Sequence, residues 1–175
     1  IKSFVVQQFL YGIQVSGASA SGNRILGNYV GVNYNGNDTA GNYIGIEIIG
    51  GPTATQVGWY NVGEGNIVSG NNHIGIRVVN ANGNFIYNNF VGTDRTGTYA
   101  LRNYDGVSIE GAAQNNIIGG TQMFMKNLVS GNVAYGIPVF GAGCDGNIIR
   151  GNYVGTDITG TQAIPNTYGV LFDDG

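Results

Sequence analysis

Apolar and polar positions alternate in short runs along this chain. The apolar residues fall two apart: Ile13/Val15, Ile46/Ile48, Ile76/Val78, Val107/Ile109, Ile137/Val139 and Val170/Phe172. That is the period of a strand with one face buried. No stretch carries the i, i+3, i+4, i+7 apolar stripe of a helix, and Gly or Asn interrupts every few residues, which works against helices.

Each apolar pair follows a glycine. The tetrapeptide Gly-(Ile/Val)-x-(apolar) begins at Gly12, Gly45, Gly75, Gly106, Gly136 and Gly169, at intervals of 33, 30, 31, 30 and 33 residues. Alternate units resemble each other more than neighbours do, which gives a superrepeat of 61 to 63 residues made of two unlike halves. The unit at 135–166 reads as a strand at 137–139, a Gly-rich corner, a second strand at 147–150, an Asn corner, an extended piece at 153–156 and a Thr/Gly turn back.

Three strands in about thirty residues, repeated in register, predict one turn of a parallel β-solenoid, with turns stacked about 4.8 Å apart. No turn can bury its own inner face, so stability must come from the neighbouring turns. Asn suits the corners because it tolerates positive φ and because identical amides stacked in register can bond to one another. The coils run 11–42, 43–72, 73–103, 104–134 and 135–166, with the longest irregular insertions at 50–65 and 121–127 projecting on one side. Residues 1–10 read as the end of a preceding coil and residues 168–175 begin another, with no polar cap at either end. The chain is therefore expected to be a single β-helix domain over 1–175. It would be a fragment or module of a larger protein, or one whose uncapped ends associate with another copy end to end.

The runs GNYVGTDITGTQA, GNFIYNNFVGTDRTGTYA, NNIIGGT and GNIVSGN resemble the repeats of right-handed parallel β-helix proteins of the pectin-lyase-like superfamily. More narrowly, they are similar to the carbohydrate-binding and sugar-hydrolase β-helix repeats of secreted bacterial proteins. The resemblance covers essentially the whole chain. It implies an all-β, right-handed parallel β-helix of about five to six coils, secreted or at a cell surface. It does not choose among lyases, hydrolases, epimerases, binding modules and scaffolds. The lyases hold calcium in an acidic cluster beside an Arg or Lys base; the galacturonan hydrolases use close Asp residues and a Gly-His-Gly. This chain departs from both, since its single histidine, His73, sits in Asn-His-Ile.

Composition narrows the function classes. There are 32 glycines without a collagen period, only 10% charged residues and a net charge of −3. Lys and Arg are few and scattered, so no basic stripe for nucleic acid is present. No apolar run is long enough to cross a membrane as a helix. Cys144 is the only cysteine and reads as a small corner residue. No cofactor or metal is expected.

The outward column beside the Gly-Ile strands reads Gln14, Glu47, Arg77, Ser108, Pro138, Leu171. It predicts a surface ion pair between Glu47 and Arg77, with no second carboxylate to make an acid/base pair. Asp94 and Asp157 recur in Gly-Thr-Asp, about 9.6 Å apart in alternate coils, too far to share one calcium ion. Each is expected to close its own turn on backbone N–H groups. Thr93, Thr96 and Thr98 match Thr156, Thr159 and Thr161, but they lie in a turn and skip alternate coils, unlike a flat ice-binding array.

The aromatic repeat is the candidate carbohydrate-binding site. Tyr29, Phe90 and Tyr153 each stand between an Asn and a Val. If those neighbours point inward, the three rings form an outward row able to stack on the C–H faces of an extended polysaccharide. A second group, Tyr11, Tyr43, Tyr104, Tyr135 and Tyr168, precedes the Gly-Ile strands and suits wet corners equally well. The expected function is non-catalytic polysaccharide binding, associated with a secreted polysaccharide-degrading enzyme. The alternatives are a catalytic lyase, hydrolase or epimerase, and a structural spacer of a surface or adhesin protein.

Overall fold

The computed structural model describes residues 1–174. It is a parallel β-solenoid of about five turns built from three sheets. The first sheet contains the Gly-Ile strands, Tyr11–Ser16, Ile44–Ile49, Ile74–Val79, Asp105–Glu110, Tyr135–Phe140 and Tyr168–Asp173. The second holds Val5–Val6, Tyr29–Val30, Ile67–Val68, Phe90–Val91, Leu128–Val129 and Tyr153–Val154. The third holds Arg24–Ile25, Gln56–Val57, Phe85–Ile86, Ile117–Ile118 and Ile148–Ile149. Each coil runs first sheet, third sheet, second sheet, and every pairing within the sheets is parallel. Among the described residues the only helical piece is a 3-10 turn at Met123–Met125.

The interior is made of columns. Ile46, Ile76, Val107 and Ile137 are fully buried, as are Val30, Val68, Val91 and Val129 beneath the second sheet. Neighbouring coils supply this burial. Val170 occupies the same column as Ile137, has a described neighbour on one side only, and is 46% exposed.

Three asparagine ladders run up the three corners. Asn28, Asn66, Asn89, Asn127 and Asn152 precede the second-sheet strands and are linked amide to amide at 2.8–3.0 Å. Asn42, Asn71, Asn103, Asn132 and Asn166 precede the first-sheet strands, linked at 2.9–3.0 Å. Asn84, Asn116 and Asn147 precede the third-sheet strands. In a typical rung, Asn89 Nδ2 donates to Asn127 Oδ1 and to the Val57 carbonyl, while Asn89 Oδ1 accepts from the Nδ2 and backbone N–H of Asn66. Each amide thus satisfies itself and part of the corner backbone in a dry interior, where an unpaired group would be costly. The positive-φ asparagines are different residues, Asn80, Asn88 and Asn115. The two virtues of Asn at a corner are divided between separate positions.

The ladders explain the glycine of the tetrapeptide. A Cβ on Gly75 would stand 2.9 Å from Asn103 Nδ2, 2.9 Å from the Gly106 carbonyl and 2.8 Å from a Val91 methyl. Gly45, Gly106 and Gly136 meet the equivalent atoms. Here glycine is required by the close approach of the ladder, not by φ.

One rung is defective. Thr55 holds the place of an Asn beneath Asn84; its N–H donates to Asn84 Oδ1, but its buried hydroxyl has no partner. Thr55→Asn should extend the ladder and raise stability by about 1 kcal/mol. Asn89→Ala, which strands donors and acceptors above and below, should cost about 2–4 kcal/mol. Ile76→Ala should cost about 2–5 kcal/mol. Urea titration of the three variants against the parent checks all three values.

Candidate functional site

The row of Tyr29, Phe90 and Tyr153 lies on the outer face of the second sheet. The register Val5, Tyr29, Ile67, Phe90, Leu128, Tyr153 puts all three rings in one outward column, separated by aliphatic residues. The flanking Asn28 and Val30 are fully buried and inward, as are Asn89 and Val91. The rings are half-buried rather than fully exposed, because the Thr/Gly turns fold over them. Three small antiparallel bridges, Val32 with Thr39, Thr93 with Ala100 and Thr156 with Ala163, close these turns. Their glycines sit against the rings: a Cβ on Gly36 would reach within 3.2 Å of the Tyr29 ring, on Gly97 within 3.3 Å of Phe90, and on Gly160 within 3.2 Å of Tyr153.

The turns form one wall of a groove and the third-to-second-sheet corners form the other. At the Tyr29 end, Tyr34 and Arg95 face Gly63 and Gly65 across Ile67 in a cavity of about 450 Å³. Arg95, Gly63 and Gly65 are shared with the next concavity, which reaches Phe90 and Asn88. Phe90 and Asn88 in turn line a cavity of about 650 Å³ that extends to Tyr153, with Met123, Phe124 and Lys126 on its rim. The floor is therefore continuous from Val5 to Tyr153. The expected insertions need one adjustment: 50–65 is interrupted by the Gln56–Val57 strand, and the corners that line the groove are 58–65 and 119–127.

The turn carboxylates act as expected. Asp94 Oδ1 accepts from the N–H groups of Thr98 and Tyr99, and Oδ2 from the Thr96 hydroxyl at 2.6 Å. Asp157 repeats this with Thr159, Thr161 and Gln162. Burial pushes both carboxyls up, but the Thr hydroxyl and backbone N–H bonds outweigh it and hold them below the usual Asp range. The Thr hydroxyls are spent on this network, with Thr96 and Thr98 2.6 Å apart.

The second tyrosine group splits into two registers. Tyr43 stacks on His73 at 5.1 Å and His73 on Tyr104 at 5.9 Å, while Tyr135 stacks on Tyr168 at 5.0 Å one position further along. These rings turn their faces to each other along the solenoid axis, which closes the stacked faces to a sugar. No ring–ring contact occupies Tyr29, Phe90 or Tyr153 among the described residues.

On the first sheet the column carries more charge chemistry than its sequence shows. Arg77 Nη1 donates to Glu47 Oε1 at 3.0 Å, and Nε and Nη2 both donate to Glu110 Oε2 at 3.0 and 2.6 Å. Gln14 donates to Glu47 and Ser108 to Glu110. The expected surface pair is thus a Glu-Arg-Glu triad with Glu47 only 1% exposed. Bonding to Glu110 outweighs burial and raises the Arg77 pKa. Glu110 was hidden because it belongs to the next outward column, two residues beyond Ser108. At the other end of the same strand, burial pushes the Asp105 carboxyl up, against a bond from the Tyr135 N–H at 3.2 Å.

Compared with known proteins, the chain matches no family model, no curated protein and no solved structure.

Two outcomes follow from these carboxylates. Arg77→Gln should destabilise by about 3 kcal/mol, because Glu47 would remain buried without its counter-charge; denaturant titration measures it. The Asp residues should respond to pH with opposite signs. Asp94 and Asp157 have lowered folded pKa values, so their contribution is present near neutrality and is lost as pH falls through those values, below the unfolded Asp pKa of about 3.9. Asp105 has a raised folded pKa, so its contribution is present in acid and is lost as pH rises through it. Asp105→Asn, whose Oδ1 can still accept the Tyr135 N–H, should melt above the parent near neutrality and lose that advantage in acid. Asp94→Asn should melt below the parent near neutrality and converge with it in acid. Thermal melts at the two pH values decide both.

Proposed function

We propose that the chain is a polysaccharide-binding β-solenoid, wound right-handed in the manner of the pectin-lyase-like proteins and working in a secreted or cell-surface setting. The observation that carries this reading is the row of Tyr29, Phe90 and Tyr153 along the floor of one groove, each ring clear of every other ring. The rings recur every second coil, at about 9.6 Å, close to the length of two sugars in an extended β-1,4-linked chain. Tyr29 and Phe90 could then meet the same face of the glycan two residues apart, while Lys126 Nζ stands 4.8 Å from the centroid of the third ring, Tyr153. Rings fixed on a rigid sheet lose little entropy on binding, which lets a shallow groove work. Asn88 and Thr121 line the same strip and could bond hydroxyls.

A catalytic lyase, hydrolase or epimerase draws less support. Glu47 and Glu110 are both engaged by Arg77, and Asp94 and Asp157 are engaged by their own turns. A pure spacer would have no use for aromatic rings kept half-exposed along a cleft.

Affinity electrophoresis against plant and algal polysaccharides is the primary test. Retardation by one glycan class supports binding, its absence across the panel favours a spacer, and product release favours catalysis. On the retarding glycan, Phe90→Ala should weaken calorimetric affinity by about 1 kcal/mol or more while the melting temperature holds. Unchanged affinity would remove the row from the site.

A further inference from the structure

The two ends of the groove differ in a way the superrepeat does not require. Two coils apart, corners of equal length, 58–66 and 119–127, carry Val62, Gly63, Glu64 and Gly65 in one case and Met123, Phe124 and Lys126 in the other. At the first corner the groove wall is glycine backbone. At the second it is apolar side chains. Met123 is 78% exposed and Phe124 38% exposed, and none of Met123–Met125 is buried. The fold gains no core from them. Exposed apolar groups gathered at a concavity mark a binding surface rather than a packing need.

The cation in this pocket is the second observation. Lys126 Nζ lies 4.8 Å from the centroid of the Tyr153 ring. Among the described residues it forms no ion pair, and no carboxylate lines the cavity. The protein as a whole is acidic, with 10 Asp and Glu against 7 Lys and Arg. An unpaired ammonium held over an aromatic face, inside an apolar pocket, is complementary to an anion attached to an apolar body.

We propose that the pocket formed by Phe90, Met123, Phe124, Lys126, Tyr153 and Ile158 binds a small aromatic carboxylate. The ligand ring lies against Phe90 and Phe124, with Met123 as an adaptable edge contact. Its carboxylate pairs with Lys126 Nζ, which keeps its place over Tyr153. The cavity, about 650 Å³, is within the size range of small-molecule sites. The assignment stands beside the glycan reading and does not depend on it, since it needs only one end of the groove.

The test is titration of the intact chain with 4-hydroxycinnamate and with its neutral amide, followed by calorimetry and by NMR shifts. The acid should bind saturably and about tenfold more tightly than the amide, the size of one charge-assisted contact. Lys126→Gln should abolish that preference. Phe124→Ser should weaken both ligands about fivefold, as expected for loss of an apolar contact. Tyr29→Ala, at the far end of the groove, should leave both affinities unchanged, although it would weaken a glycan bound along the row. The proposal is overturned by absence of saturable binding, by equal affinity for acid and amide, or by a loss in Tyr29→Ala as large as that in Phe124→Ser. Circular dichroism of each variant ensures that the comparison is between folded proteins.

Discussion

Stacking in strict register is the constraint from which the rest of this structure follows, and the buried amide enforces it. An asparagine in a dry corner must satisfy two donors and an acceptor. Here it does so only if the next coil presents another asparagine at the same height. A slip of one residue would strand a column of amides at each corner and would also turn the apolar columns outward. The hydrophobic columns supply the bulk of the stabilisation, but they are interchangeable Ile and Val and would tolerate shifts. The ladders do not, and the glycines that yield space to them, Gly45, Gly75, Gly106 and Gly136, cannot carry a side chain without meeting a ladder atom.

Once register is fixed, outward positions inherit a regular address. This makes a groove possible without any large loop. The outward column of the second sheet alternates aromatic and aliphatic residues because the superrepeat has two unlike halves. The Thr/Gly turns recur on the aromatic half and close over the rings. Asp94 and Asp157 hold those turns shut through at least three side-chain bonds each. The same logic on the first sheet gives a different result. There, charges fall side by side and pair, with Arg77 bonded to both Glu47 and Glu110.

The departures from strict repetition are informative because the fold does not demand them. Thr55 interrupts a ladder and leaves a hydroxyl unpaired. Met123 and Phe124 line the groove at a corner where Gly63 and Gly65 line it two coils earlier. The first is a local defect in stability, and the second changes the chemistry of one end of the groove.

The sequence by itself determined the coil register, the inward columns, the stacking of corner asparagines, the closure of the Asp turns and the outward placing of Tyr29, Phe90 and Tyr153. All of these depend on position within a repeat, and a repeat of about thirty residues can be read from glycine spacing and strand period alone. Only the tertiary structure decided which outward residues meet across columns. Glu110 reaches Arg77 on a diagonal, and Tyr43 and Tyr104 stack on His73 while Tyr135 stacks on Tyr168. It also decided how deeply the turns cover the aromatic rings, and that Lys126 lies over Tyr153. These contacts join residues whose separation is set by side-chain length and corner shape, and neither quantity is carried by the period of the sequence.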